Sequence, residues 1–416
     1  MGVLTKLKNL FLRESSEGHR QYSHFIEIRP MIEKYRIKRK IQEFKKVYRI
    51  RYWHKVPHIT LVYNFSPKEG VKNWELANII KKVASKYNLR DLWFYYDGFE
   101  FNKGRNGYVL AFRIEPSQKL RRLRAELYNS LKPHILERPD VVKFNGANED
   151  EFWFHATIGY RLSERDRELL SNYLKTIEDE YFMSYPLRIS LLRNSKIAYE
   201  YDTATGKILS RQKALSKKTY SEMIKEYRKI FDIESNPPNS NSGIWLISDT
   251  HFDHENIIKY CARPFADVRE MNRIILRNWN NTIQSSDTVY FLGDMSFGRR
   301  SKNPLYWLQK LNGRVKYIYG NHDSIQLGKN QEVVVYRGYK FLLVHDPKNM
   351  GNMKKFDGWI IHGHVHNNEL RKYPFIDTKK RTINVCVEVI NYKPISLDEI
   401  VTLIQRNEGG LIYRPC

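Results

Sequence analysis

The stretch VPHITLVYNF, residues 56–65, decides how the first half of the chain is read. Ile59, Leu61 and Tyr63 alternate with His58, Thr60 and Val62, the period-two pattern of a strand. That period sets His58 and Thr60 on one face. FWFHATIGY, residues 152–160, repeats the arrangement with His155 and Thr157. No other His-x-Thr occurs among the 13 histidines of the chain. Either histidine alone would read as a satisfied core residue; the pair in matching surroundings asks for a chemical reason.

The surroundings match in element order. HFIEIRP (24–30) reads as a strand, 31–48 as a helix with a basic face, HITLVYNF as a strand and WELANIIKKVASKY (74–87) as an amphipathic helix. The order then recurs: strand GYVLAFRI (107–114), helix SQKLRRLRAELYNSLK (117–132), strand FWFHATIGY and helix ERDRELLSNYLKTI (164–177). YPLRISLLRNSKIAYEYD (185–202) closes the series as a hairpin. Strand–helix–HxT strand–helix therefore occurs twice, an internal duplication visible in order alone.

Two imidazoles facing one phosphorus can supply a base on one side and an acid on the other near neutral pH. The threonine hydroxyls can hold the non-bridging oxygens as charge develops. On these residues the sequence resembles the 2H phosphoesterase superfamily, of the 2′-5′ RNA ligase and cyclic phosphodiesterase type, across about 22–210. The resemblance implies an α+β bilobal domain with the two HxT strands lining a cleft. It implies His58, Thr60, His155 and Thr157 as catalytic residues, with no cofactor. Phe99, Phe101, Phe152, Phe154 and Tyr160 are open to two readings, base stacking or core. Arg113 and Arg161 are candidates for phosphate contact.

From 243 on, continuous apolar strands each end in polar residues. After IWLIS (244–248) come Asp249 and His251; after TVYFL (288–292), Gly293 and Asp294; after VKYIY (315–319), Gly-Asn321-His322-Asp323; after KFLLV (340–344), His345; and after GWII (358–361), His362-Gly-His364-Val-His366. Apolar runs of this kind suit strands buried on both faces of a layered α/β core. Carboxylate, imidazole and amide oxygen are a ligand set for Mn, Fe or Zn. The series D-x-H, G-D, G-N-H-D, a lone His and G-H-x-H resembles the calcineurin-like metallophosphoesterase family over nearly all of 243–400. That resemblance implies an α/β/β/α layered sandwich and two divalent metal ions, Mn²⁺ ahead of Fe, Zn, Ni or Mg. Asp249, His251 and His366 are the implied ligands of one, and Asn321, His345 and His364 of the other, with Asp294 bridging. His322 is the implied catalytic histidine that faces substrate, with Asp323 orienting it. His362 is an additional imidazole without an assigned role.

The chain has 416 residues and a formal charge of +25. Residues 1–242 hold 46 basic and 29 acidic residues, and the densest run is YRIKRKIQEFKKVYRIRYWHK at 35–55. A basic surface of this kind attracts polyanions, nucleic acid foremost. No apolar run is long enough for a membrane span. Cys261, Cys386 and Cys416 show neither paired nor metal-binding spacing, which fits a reducing cytoplasm. The polar run ESNPPNSNSG (234–243) reads as a linker. The expected layout is a flexible leader at 1–21, a 2H-like domain at 22–215, a helix and linker at 216–242, and a metallophosphoesterase domain at 243–416.

The function expected from both halves is a bifunctional phosphoesterase acting on RNA or a nucleotide phosphate. The first domain opens, or reversibly forms, 2′,3′-cyclic phosphates or 2′-5′ linkages. The second hydrolyses a phosphomonoester or phosphodiester. Two independent activities, or an RNA-binding module that recruits a metal-dependent phosphodiesterase, are the alternatives. Oligomeric state is not legible.

Overall fold

The computed structural model describes residues 22–48, 53, 57–104, 106–177, 181–234, 243–323, 327–349, 356–406 and 410–412. The leader at 1–21 and most of the linker, 235–242, lie outside the described residues, as does part of the basic run, 49–52 and 54–56. The chain divides into two compact units. One runs to Glu226; the other begins at Tyr227 and also takes Tyr181 and Phe182.

The first unit is built on β1 (His24–Ile28), β2 (Ile59–Pro67), β3 (Phe94–Gly104), β4 (Gly107–Pro116), β5 (Ile135–Glu137), β6 (His155–Leu162), β7 (Tyr181–Ser184), β8 (Arg188–Arg193), β9 (Lys196–Asp202) and β10 (Lys207–Ser210). They form a sheet in the order β10-β9-β8-β1-β2-β6-β4-β3-β7, with β5 on β2. The two HxT strands are thus neighbours in its middle. They are antiparallel, with Ile59 opposite Ala156. The alternation read from the sequence shows in burial as far as Leu61: Ile59 and Leu61 are buried and His58 and Thr60 half-exposed, but Val62 is buried and Tyr63 half-exposed, the reverse of the expected faces. The sequence reading passed over β3. Its register with β4 slips between Tyr96 and Phe99, and Gly98 there has φ +66°, so a bulge interrupts the alternation that would have marked it.

Helices at Asn73–Ala84, Gln118–Leu131 and Glu164–Leu174 follow the expected amphipathic segments. Ser117 caps the second through Leu120 N, and Ser163 with Asp166 forms a capping box on the third. Arg124, on the second, is buried and places its guanidinium 3.6 Å over the Phe152 ring. It donates to the carbonyls of Leu61 (3.1 Å), Ala147 (3.0 Å), Phe144 (3.2 Å) and Asn145 (2.6 Å). One side chain therefore ties the first HxT strand to the segment leading into the second. Burial lowers its pKa to about 10, which still leaves it charged at neutral pH.

The second unit has two sheets. β11 (Ile244–Ile247), β12 (Thr288–Phe291) and β13 (Arg314–Tyr317) are parallel, in the order β13-β12-β11-β19, with β19 (Ile395–Ser396) antiparallel to β11. The helix Val268–Thr282 lies against them through Trp279, whose ring is 6.1 Å from Phe291. The other sheet contains β14 (Gln331–Tyr336), β15 (Tyr339–Val344), β16 (Trp359–His362), β17 (Ile376–Asp377), β18 (Thr382–Asn384) and β20 (Leu411–Ile412), ordered β14-β15-β16-β18-β17-β20. Ser248, just past β11, accepts from Val387 N and donates its own N–H to Val385 O; Val385 N bonds His362 O at the end of β16. The strand ends of both sheets therefore meet in one region, the usual place for ligands in parallel α/β cores. Among the described residues no helix is long and apolar enough to cross a membrane.

Candidate functional sites

His58 directly precedes β2 and His155 opens β6. They are close enough for the charge of one to act on the other. Their settings differ. His155 is buried, its Nδ1 lies 3.0 Å from the Trp153 carbonyl, and its ring stacks on Trp153 at 3.6 Å. Trp153 is fixed in turn by its indole N–H to Glu100, 2.6 Å. Burial first, opposed by the Trp153 carbonyl, brings the His155 pKa down to about 4. His155 is therefore neutral at pH 7, with a proton on Nδ1 and a lone pair on Nε2. Thr60 and Thr157 are both half-exposed.

The aromatic residues sort plainly. Phe152 and Phe154 are 4% and 3% exposed, so both are core, and Phe99 packs on Phe112 at 4.8 Å. Phe101 and Tyr160 are half-exposed. Trp153 between the two buried phenylalanines, not singled out in the sequence, is the ring at the histidine. Arg113 lies opposite His155 in register and is held by Asp97, 2.9 Å.

In the second unit the candidate ligands converge. Asp249, His251 and His366 form one group; Asp294, His345 and His364 form another. His251 Nε2 lies 3.7 Å from Asp249 Oδ1 and 3.6 Å from Asp294 Oδ2, which joins the two groups. His366 Nε2 is 3.7 Å from Asp249 Oδ1, His345 Nε2 is 3.4 Å from Asp294 Oδ2, and Asn321 Oδ1 is 2.9 Å from His345 Nε2. Among the described residues, Asp249 Oδ1, Asp294 Oδ2 and His251 Nε2 are buried without a hydrogen-bond partner. Orphaned buried carboxylate oxygens are costly unless a cation answers them. A divalent ion fits this donor set.

The loops that carry the ligands are unusual in backbone. Asp249, His251, Asp294, His364 and His366 all have φ between +47° and +68°. Such conformations cost energy in non-glycine residues and gather at functional sites. Two glycines make the approach possible. A Cβ on Gly320 would meet Asp294 Oδ1 at 2.3 Å, and one on Gly363 would meet Ser248 Oγ at 2.1 Å and Asp249 Oδ2 at 2.4 Å.

One sequence expectation changes. Asp323 does not orient His322: its carboxylate accepts from Asp294 N (3.0 Å), Met295 N (3.1 Å), Gly320 N (2.8 Å) and Tyr317 Oη (2.7 Å), clasping two ligand loops together. His362 is fully buried against Tyr373, and burial brings its pKa down to about 4. His322 is exposed, with its backbone N–H on Asp294 Oδ1 (2.8 Å) and its ring 4.4 Å from Phe297 and 5.8 Å from His251.

The sequence reading also missed Arg263 and Glu388. Glu388 Oε1 is 3.1 Å from His366 Nδ1. Arg263 holds that carboxylate at 2.8 and 2.7 Å and donates to the carbonyls of Thr250 and Asp249. Burial opposes the Glu388 charge, but Arg263 and His366 outweigh it and take the pKa to about 2.

Comparison with known proteins finds a family match in each half of the chain. Residues 32–187 match the 2′-5′ RNA ligase superfamily, and residues 243–385 match the calcineurin-like phosphoesterase superfamily domain. An uncharacterized protein of Methanocaldococcus jannaschii, MJ1445, is 53% identical over 166 residues, 40% of this chain and 93% of its own length. The gene 66 protein of Mycobacterium phage L5 is 34% identical over 86 residues, 20% of this chain and 41% of that protein. Among solved structures, the protein of unknown function AQ665 from Aquifex aeolicus is 29% identical, covering 39% of this chain and all of that one, with a TM-score of 0.32.

Proposed function

Since the chain joins a domain of the 2′-5′ RNA ligase superfamily to a calcineurin-like phosphoesterase domain, we propose that the two act in turn on one phosphate. The first opens a 2′,3′-cyclic phosphate at an RNA end or on a nucleotide, and the second removes the resulting monoester. The observation that supports the reading is the presence of two separate sets of candidate catalytic residues in one chain. Paired imidazoles flank the middle of one sheet, and two His/Asp groups gather at strand ends of the other unit.

In the first domain His155 takes a proton on Nε2, because its Nδ1 is committed to the Trp153 carbonyl. Thr60 and Thr157 hold the non-bridging oxygens. No metal enters this step. In the second, Asp249, His251 and His366 would hold one divalent ion, and Asn321, His345 and His364 another, with Asp294 close to both groups. Such ions, Mn²⁺ foremost, would supply Lewis-acid chemistry and a water of lowered pKa. His322, exposed beside the ligands, is placed to protonate the leaving oxygen. Excess positive charge draws the polyanion, and one chain raises the effective concentration of the first product at the second site.

The test is an oligonucleotide ending in a 2′,3′-cyclic phosphate, with Mn²⁺, followed by mass spectrometry. Wild type should open the ring and remove the phosphate. His58→Ala should lose opening, and Asn321→Ala should lose only removal. Wild type that opens no cyclic phosphate on RNA or nucleotides sinks the reading.

A further inference from the structure

The two histidines of the HxT pair do not have equivalent partners. β1 brings Phe25 and Glu27 to the His58 side of the sheet: the Phe25 ring is 5.7 Å from the imidazole, and Glu27 Oε2 is 3.4 Å from His58 Nε2. Glu27 is 1% exposed. Its Oε1 accepts from Arg29 Nε at 2.6 Å, while Oε2 makes no hydrogen bond among the described residues and has His58 Nε2 at ion-pair distance, 3.4 Å. In register, Glu27 stands opposite Thr60 on β2 and Ser190 on β8, and Ser190 stands opposite Glu200 on β9. Ser190 Oγ is turned to Glu200 (2.8 Å), which Arg188 also holds, 3.3 Å. Lys34, from the helix Lys34–Val47, feels both Arg29 and Glu200. The charged and titratable groups described around Glu27 are therefore Arg29, Glu200, Lys34 and His58, with Arg29 on Oε1 and His58 3.4 Å from Oε2.

We propose that Glu27 is a positioning residue that holds His58 as the imidazolium, making His58 the general acid and leaving His155 the general base. The assignment rests on the reading of this domain as one that opens cyclic phosphates. A buried carboxylate oxygen 3.4 Å from an imidazole nitrogen favours the charged ring by its charge. Among the described residues the His155 ring hydrogen-bonds to a carbonyl, that of Trp153, which fixes a neutral tautomer. In the reaction, water oxygen bonds to phosphorus as the bond from phosphorus to one ribose oxygen breaks. The water proton passes to His155 Nε2, and the leaving oxygen takes a proton from His58. The products are a monoester and a free hydroxyl, with no other reactant consumed.

Glu27→Gln in the full chain tests the assignment, with folding checked by thermal melting. kcat/KM for ring opening should fall about tenfold to a hundredfold, part of what a positioned acid contributes. The basic limb of its pH profile should move to lower pH and the acidic limb stay. Glu27→Asp should recover part of the loss. Independently of turnover, the ring ¹⁵N shifts of His58 at fixed pH should show a protonated Nε2 in wild type and its depletion in Glu27→Gln. An unmoved basic limb, or unchanged ¹⁵N shifts, overturns the role of Glu27. Wild type without ring opening overturns the functional reading instead, and the ¹⁵N comparison then decides the Glu27–His58 pair alone. If Glu27→Gln does not fold, Glu27→Asp carries the same two readouts.

Discussion

Glu388 Oε1 lies 3.1 Å from His366 Nδ1, and behind it stands the buried guanidinium of Arg263. This chain fixes which nitrogen of His366 faces Asp249. Partners of this kind raise the basicity of a ligating histidine and hold its ring.

Glu388→Gln should therefore weaken metal binding about tenfold to a hundredfold. Competition titration with a chromogenic chelator measures it. Arg263→Met should be worse for folding, costing about 3–5 kcal/mol, because it removes the guanidinium from buried Glu388 and leaves it the His366 imidazole. Denaturant melts check that, and equal stability would show that Glu388 gains its charge from another source.

Asp294→Asn replaces the carboxylate that stands between the two histidine groups. Bound metal should drop below that of wild type by elemental analysis. Phosphate removal should fall by roughly 10²–10³-fold, the scale of losing one charge-stabilising group. Ring opening by the first domain should be unaffected.

The His155 setting predicts a pH response in both activity and stability. With its pKa lowered to about 4, His155 stays a competent base well below the ordinary imidazole value of 6.5, so the acidic limb of ring opening should fall near pH 4. Stability moves in a definite direction. Between pH 6.5 and 4 the unfolded chain binds the proton and the folded chain does not. Folding therefore loses up to about 3 kcal/mol from this group as pH drops through that window, and nothing above it. Urea melts at pH 7 and pH 4.5, with His155→Gln as reference, isolate the contribution.

Gly363→Ala puts a methyl 2.1 Å from Ser248 Oγ and 2.4 Å from Asp249 Oδ2. The cost should be about 1–3 kcal/mol with displacement of Asp249, hence weaker metal binding. Gly338→Ala is the control. It has nothing within 4 Å of the added methyl, so only its φ of +82° is strained.

Much of the candidate metal site was legible because each candidate ligand follows an apolar strand at a short local spacing. Asp249 with His251, and His364 with His366, announce themselves within three residues. Both HxT motifs were legible for the same reason, through local period and repetition. What escaped were residues whose partner is distant. Glu388 reaches His366 across 22 residues and Arg263 across 125. Glu27 sits in HFIEIRP as an ordinary polar interruption until β1 is laid beside β2. Asp323 was misread because GNHD places it next to His322, whereas its four donors come from backbone and from Tyr317. Side chains that organise other side chains leave no periodic mark, since their spacing is set by topology.

The left-handed backbone at Asp249, His251, Asp294, His364 and His366 also limits how this centre can decay. Asn, Asp, His and Gly tolerate that conformation, whereas β-branched residues resist it. Drift at these positions toward Asn or Gly would silence the chemistry and spare the loop. Drift toward Val, Ile or Thr would take the loop with it. In lineages where the activity is no longer selected, retired copies should carry asparagine and glycine at the former ligands.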